Sequence, residues 1–447
     1  MNRMFRSFRA LNHQTFLAVW IATLLSNIGT WMENVGQGWV VATETHSAFR
    51  VGLLSFSQFA AVTMLAIPAG IFADIFDRKK IIISAQIAMC LLATLLAVLA
   101  HMGLATANVI TTIAFFQGAA WVFNGPAWQA VIPHLVPRKD LESAINLNSI
   151  QYNIARLIGP AVAGFVVAHW GFQYAFDLNA ISFFAVFAAI LFIDFDPKLI
   201  RQNQKWTKGA FTQAGKWVWN HSGAKRIVIS ISLFAILSAP IQGLMPYLAS
   251  DVLMVGPKGL GTMLACLGAG AVFGAFVLGQ LPSYYPRHHL IPLSLTFLGI
   301  MMAIYSKASV QIIYPVIFIM GIFWLWTMIS CNTAMQLLVP DNIRGRVMSI
   351  LILAHVGMLP IGNLLGGIVA HSIGPRTTLF ISSILLIFVG LYTLWQRVPM
   401  IDGYEAKGHP IHFKNFLSEV ILASSHRAEA LSLDRTTENL NKPPKKN

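Results

Sequence analysis

Long apolar runs alternate with short polar turns along almost the whole chain. The runs lie near 14–42, 50–73, 81–103, 107–132, 143–169, 174–194, 226–250, 259–282, 290–307, 310–336, 347–372 and 376–397. A helix needs roughly 20 apolar residues to cross a bilayer, so the pattern predicts an all-α membrane protein with twelve transmembrane helices. The turn between the second and third runs is the most informative. Gly70-Ile-Phe-Ala-Asp74-Ile-Phe-Asp77-Arg78-Lys79-Lys80 gathers two carboxylates and three cations into a very short connection. Lipid cannot solvate those charges, so they mark a water-facing end of the bundle.

The same spacing returns as Gly279-Gln-Leu-Pro-Ser283-Tyr-Tyr-Pro286-Arg287-His288-His289, with Gly70 and Gly279, and Arg78 and Arg287, each 209 positions apart. A second series is offset by 203: Gly118 with Gly321, Val136-Pro137 with Val339-Pro340, Gly159 with Gly362, Gly164 with Gly367, and Gly171 with Gly374. An ordered series at fixed offset predicts a duplicated module. Six helices per copy is an even number, so both copies share one orientation and form two pseudosymmetric six-helix bundles about an axis along the membrane normal. The expected organisation is an N-terminal bundle over 1–195, a cytoplasmic linker over 196–225, a C-terminal bundle over 226–397 and a cytoplasmic tail over 398–447. In the linker, Trp206, Phe211, Trp217 and Trp219 interleave with Lys205, Lys208 and Lys216. That mixture predicts a helix at the lipid headgroups, with a solvated linker as the alternative. Ile411, Phe413, Phe416, Leu417, Val420 and Ile421 predict a second, shorter interfacial helix, followed by a polar, Lys-rich remainder.

Composition agrees with the pattern. Hydrophobic residues make up 56% and charged residues 11% of the chain, against roughly 25% charged in a soluble domain. The net charge of +14 is not a nucleic-acid signature, because the cations occupy turns and termini. With the N-terminus inside, 26 of the 31 Lys and Arg residues fall on the cytoplasmic side, and only Arg50, Lys258, Lys307 and Arg376 fall outside. That bias predicts a multi-pass protein of the inner (plasma) membrane with both termini cytoplasmic. The basic start precedes a run too long for a signal-peptide core, so it is expected to stay as the first span. Cys90, Cys266 and Cys331 lie inside apolar runs without metal-ligand spacing and read as packing residues. Neither a metal nor a cofactor is expected. A phosphate-cradling loop, a His-Glu metal motif and a nucleophile elbow are all missing from the sequence, which argues against an ATP-driven pump or an intramembrane enzyme.

The segment Gly70 to Lys80 resembles the loop between helices 2 and 3 of the major facilitator superfamily, with Asp77 where most members have Gly. Three further segments resemble the branch of the enterobactin exporter and related drug and siderophore efflux proteins: Phe123 to Pro137, Asn153 to Gly164, and Val339 to Ser349. The resemblance covers roughly residues 10 to 397 and implies the major facilitator fold. Gly159, Pro160 and Gly164 also look like the tail of the helix-5 motif of proton-coupled antiporters. Ala155 departs from that motif, and Ala114 stands where the helix-4 pattern has an Arg.

Several residues stand out as candidates. Asp74, Asp77, Arg78, Lys79 and Lys80, together with Arg344 and Arg346, are expected to gate the cytoplasmic end by exchanging ion pairs between bundles, or else to anchor it there. Glu33 is the one acidic residue well inside a span, and an ionisable group at that depth must face a cavity or a partner. It is the candidate proton site, with a structural pair to Arg156 or a place in the outer mouth as alternatives. Arg156, in mid-helix 5, needs an acceptor: Glu33, helix-end carbonyls or an anionic substrate. Asp177 reads as a mouth residue or helix cap, and His355 as a proton relay or a satisfied core residue. Asn27, Trp31, Gln37, Asn124, Trp128, Gln129, Asn332, Gln336, His355 and Asn363 are expected to line a cavity for an amphiphilic ligand.

The reading is a secondary active transporter, proton-coupled and exporting a small amphiphilic compound, siderophore or drug-like, by alternating access. The alternatives are a non-transporting sensor or assembly protein with the same fold, and uptake instead of export. Its expected partners are a small-molecule substrate, protons and the lipid bilayer. It is expected to act as a monomer and to bind no nucleic acid.

Overall fold

The computed structural model describes residues 8–131, 135–191, 210–280, 287–341 and 343–395. Its N-terminal half contains α1 (Gln14–Thr45), α2 (Ala48–Ile75), α3 (Arg78–His101), α4 (Ala107–Val131), α5 (Leu141–His169) and α6 (Phe172–Leu191). A short helix, α7 (Ala210–Asn220), leads into the second half. That half contains α8 (Ser222–Gly243), α9 (Gly256–Gln280), α10 (Arg287–Lys307), α11 (Val310–Leu338), α12 (Arg344–Val356), α13 (Leu359–Ile373) and α14 (Pro375–Trp395). A bent continuation, Met245–Tyr247 and Leu248–Val252, extends α8 toward α9. Helices α12 and α13 are one span interrupted at Gly357 and Met358.

Among the described residues, eleven helical spans are long and apolar enough to cross a membrane. The remaining span, α4, packs between α2 and α3 like its neighbours. Its hydropathy is lowered by Asn108, Thr111, Thr112, Gln117 and Asn124. The turns begin and end helices by local chemistry. The Ser47 hydroxyl accepts from the Arg50 amide at 3.5 Å to start α2. Asp77 caps α3 by accepting from the Lys79 and Lys80 amides at 2.8 and 3.4 Å.

Packing repeats between the halves with the offsets seen in the sequence. A Cβ built on Gly118 would meet Gln58 O of α2, and one on Gly321 would meet Leu267 O of α9. Gly159 lies against Ile28 and Trp31 of α1, and Gly362 against Ile236 and Ala239 of α8. The halves join through two equivalent crossings, α5 on α9 and α2 on α13. In the first, Gly164 faces Gly261; in the second, Gly52 faces Gly367. Gly52 and Gly261 are 209 positions apart and Gly164 and Gly367 are 203 apart, so each glycine touches the repeat mate of the other's partner. On the axis itself, Gly38 meets Pro246, 208 positions on. This is the self-complementary contact expected of a two-fold.

These crossings lie at the end of the bundle away from the Arg78-Lys79-Lys80 turn. There His46 Nδ1 of α1 also contacts Asp251 Oδ1 at 2.5 Å. Deeper contacts are Arg156 O against Gly268 and the Thr63 hydroxyl donating to Gly357 O at 3.0 Å. Toward the basic end, Gly70, Gly125, Gly279 and Gly345 have open space beside them. The two bundles close on each other at the charge-poor end and part toward the basic one.

The linker helix departs from the sequence expectation in one respect. Ala214 and Val218 of α7 are buried in the core of the second half, against α12. Trp217 stacks on His221 with centroids 5.0 Å apart, and Lys225 sits 4.7 Å over exposed Trp219. Its apolar face therefore meets protein, and Trp219 is left to face outward. Trp206, Lys205 and Lys208 lie outside the described residues, as does the whole tail.

Candidate functional site

Two polar constellations interrupt the apolar interior. The first is built around Glu33. Position 33 sits on the face of α1 turned toward α4 and α6, because Ile28 and Trp31 commit the opposite face to α5. Gly29 and Gly36 let α6 approach closely, at Asn179 and Phe176 respectively. The result encloses the carboxyl, which is 3% exposed. Its Oε1 accepts from Gln37 Nε2 at 2.8 Å and from Gln117 Nε2 at 2.6 Å, and its Oε2 accepts from Asn179 Nδ2. Gln37 Oε1 in turn accepts from Gln58 Nε2 of α2 at 2.9 Å, and Gln58 also reaches Asn34. A carboxyl thus sits about 18 Å inside the outer end of α1, twelve residues short of Thr45, ringed by amides from three helices. Each acceptor has a neutral donor, and no cation among the described residues pairs with it.

Glu33 and Arg156 therefore do not pair, correcting one alternative drawn from the sequence. Gly159 seats α5 on α1 at Trp31 and Ile28, a different face from Glu33. Gln37 belongs to the enclosed amide ring and not to a cavity wall.

The second constellation lies between the halves. Arg156, half-buried on α5, lies close enough to His355 of α12 for its charge to act on the imidazole across the junction. The His355 ring stacks on Phe234 of α8 at 5.7 Å, and Phe234 meets Trp324 of α11 edge-on at 5.2 Å. Buried His355 Nε2 and Asn124 Oδ1 have no hydrogen-bond partner.

The family model described as transmembrane secretion effector, of the major facilitator superfamily, matches residues 6–426. The chain belongs to that family. It is 25% identical over 391 residues to the staphyloferrin A transporter of Staphylococcus aureus, covering 87% of this chain and 98% of that protein. The macrolide efflux protein A of Streptococcus pyogenes is 23% identical, over 84% of this chain and 94% of its own length. The enterobactin exporter of Salmonella typhi is 25% identical, over 86% and 92%. A crystal structure of a variant of the nucleoside transporter NupG superposes with a TM-score of 0.72 at 15% identity, covering 86% of this chain and 100% of that one, a likeness of fold. The chain is a multi-span membrane transporter of the major facilitator fold, with siderophore and drug efflux proteins among its relatives. Membership of a transporter family implies a small-molecule substrate.

The other predicted residues divide by location. Trp31 is half-buried against Gly159, and Asn27 is half-buried on α1. Trp128 is not a wall of the central cleft, since it packs with Phe16, Val136 and Leu147 at the basic end. Gln336 donates to Asn332 at 2.5 Å along α11. Asn363 is buried, its side chain over Gly243 of α8 and its carbonyl against Gly52 of α2. The side chains of Asp74, Arg78 and Gln129 lie outside those described. Asp77 is occupied as the α3 cap, and Lys80 is exposed. Lys79 is half-buried, its amide held by the Asp77 cap. Arg344 pairs locally with Asp341 at 2.5 Å, while Arg346 is half-buried. Asp177 meets His101 at 2.8 Å near the α3–α6 mouth. Gln58 and Asn179 were missed: one amide in an apolar run carries no periodic signal, and only the fold brings both to Glu33. Among the described residues no cluster could hold a metal ion.

Proposed function

We propose that this chain is a proton-coupled exporter of a small amphiphilic compound, siderophore-like or drug-like, working by alternating access. The observation that carries the reading is Glu33, a carboxyl held by Gln37, Gln117 and Asn179 in the membrane interior with no counter-ion among the described residues. A group that can exchange a proton there suits gradient coupling, because an ionisable residue is otherwise costly at that depth. A bound proton must be donated to an acceptor, and a Gln117 or Gln37 amide can turn its oxygen inward to take it. That turn disturbs the Gln37–Gln58 bond to α2, the helix that crosses to the second half at Gly52. Protonation is thereby coupled to how the bundles meet.

Export from the cytoplasm is supported by the charge bias, which favours both termini and the basic end inside. A cleft that parts toward that end gives a cytoplasmic cargo access, which supports the export reading. In the alternate state, Asp74, Arg344 and Arg346 would close the basic end. The relatives named for siderophore transport and macrolide efflux support an amphiphilic cargo. A single chain contains both bundles, so a monomer suffices.

The test is reconstitution into vesicles with an imposed pH gradient and a catecholate or an aryl carboxylate as cargo. Uptake into inside-out vesicles should require the gradient and fall by about 5- to 150-fold in Glu33→Gln. Equal transport by the variant and the wild type would remove Glu33 from coupling.

A further inference from the structure

We infer that the cleft binds the acidic group of its cargo at Arg156, with His355 of the opposite half completing the subsite, so that the substrate is a carboxylate-bearing amphiphile. This rests on the transporter reading above and narrows its substrate class. Arg156 is 15 residues from Leu141 and 13 from His169, about 20 Å from either end of α5. Among the described residues its guanidinium makes no ion pair, and Tyr152, one turn away on the same helix, is an uncharged neighbour. The carboxyl that could have neutralised it, Glu33, is enclosed by amides on another face of α1. A planar fork of donors is thus left without a carboxylate at the junction of the halves, where the Arg156 backbone lies against Gly268 of α9 and its charge reaches His355 of the opposite half.

The opposite wall is built to match. His355 presents an unpartnered, buried Nε2 and is fixed by stacking on Phe234. Directly after it the span breaks at Gly357, and Thr63 of the first half bonds the freed carbonyl at 3.0 Å. Irregular backbone at membrane depth is tolerated where it lines a cavity, and broken helices there frame binding sites. Phe234 and Trp324 supply an aromatic wall beside the polar pair. An anionic oxygen pair on an aryl or alkyl body satisfies all of these groups, and a neutral body leaves Arg156 uncompensated.

The test uses a matched pair of probes, dansylglycine with a carboxylate and dansylamide without one. Binding to the full chain in nanodiscs is read by energy transfer from tryptophan. Wild type should prefer dansylglycine, and Arg156→Gln should lose roughly 10- to 100-fold of that affinity, the worth of a charged hydrogen-bonded contact. His355→Leu should lose about three- to tenfold. Arg156→Lys, which keeps the charge but not the fork, should recover part of the loss and controls for misfolding. Equal affinity of Arg156→Gln and wild type for dansylglycine overturns the subsite, as does a wild type that binds the two probes alike. Vesicles that fail to move either probe under a pH gradient, while binding stays Arg156-dependent, support the subsite and instead sink the transport reading.

Discussion

The two halves share a scaffold but not an interior. With the offsets fixed by their glycine contacts, Glu33 corresponds to Ile241, Gln37 to Met245, Gln58 to Leu267 and Gln117 to Met320. All four C-terminal residues belong to one apolar core, and none is more than 3% exposed. The same helices therefore pack well around apolar side chains, and nothing in the fold demands a carboxyl and three amides. Buried polar networks are often no more stabilising than an apolar core of similar shape. The N-terminal set is a departure from the local rule for a membrane interior, and such departures mark function.

The largest effect should come from Glu33→Gln, which keeps the shape and removes the titrating group. Gradient-driven transport should fall by about 5- to 150-fold, the span of a single coupling free energy. Substrate binding without a gradient should persist, as measured in the nanodisc assay. Next comes Glu33→Ile, which makes one position of the first half like the second. It strands the donors of Gln37, Gln117 and Asn179 and should cost roughly 1–3 kcal/mol of stability, seen as a lower unfolding temperature in detergent. Converting all four positions together (E33I, Q37M, Q58L, Q117M) leaves Asn179 as the one stranded donor of the three and should regain part of that stability while transport stays impaired. If the fourfold variant unfolds earlier than the single one, the polar ring is structural and the comparison fails.

A third prediction sharpens the symmetry itself. Gly52→Val and Gly261→Val alter repeat mates at the two crossings between the halves, where a Cβ meets the partner backbone. Overpacking of this kind costs about 1–3 kcal/mol. Both variants should loosen the charge-poor end to a similar degree, read as faster maleimide labelling of Thr45→Cys. Markedly unequal effects would show that the crossings are not mechanically equivalent.

Much of this was legible in the sequence, and the reasons are physical. Helices in lipid must be long and apolar, so all the spans could be read from hydropathy, α4 included despite its polar positions. Close helix crossings need small residues, so Gly164 and Gly367 recorded the duplication before any contact was seen. Glu33 stood out because depth alone makes a carboxyl improbable. Its partners were hidden, because whether Gln37 faces a cavity or a neighbour depends on helix rotation, which a span without strong amphipathicity does not reveal. Arg156 and Glu33 looked like a pair for the same reason. One charge of each sign in the interior suggests pairing until α5 is seen to use another face of α1. The break after His355 was likewise invisible, since Gly357 lies in an unbroken apolar run.

The smallest expected effect concerns a contact that the two-fold does not repeat. His46 and Met254, 208 positions apart, are the two non-glycine residues with positive φ among those described, 47° and 52°, each ending its helix. Backbone symmetry thus reaches the mouth. Chemistry does not: His46 touches Asp251, but the mirror of that contact would join Met254 to Thr43, which cannot form an ion pair. The mouth is latched on one side only. His46 is 69% exposed, so solvent screens the pair, and exposed ion pairs contribute about 0–1 kcal/mol. Asp251→Asn should therefore raise Thr45→Cys labelling by less than about fivefold. The difference from wild type should shrink further at high salt, because screening weakens only the charged pair. A salt-independent change as large as that of Gly52→Val would mean that Asp251 holds the end of α8 through its Ser250 contact, 2.5 Å away, and not through the latch.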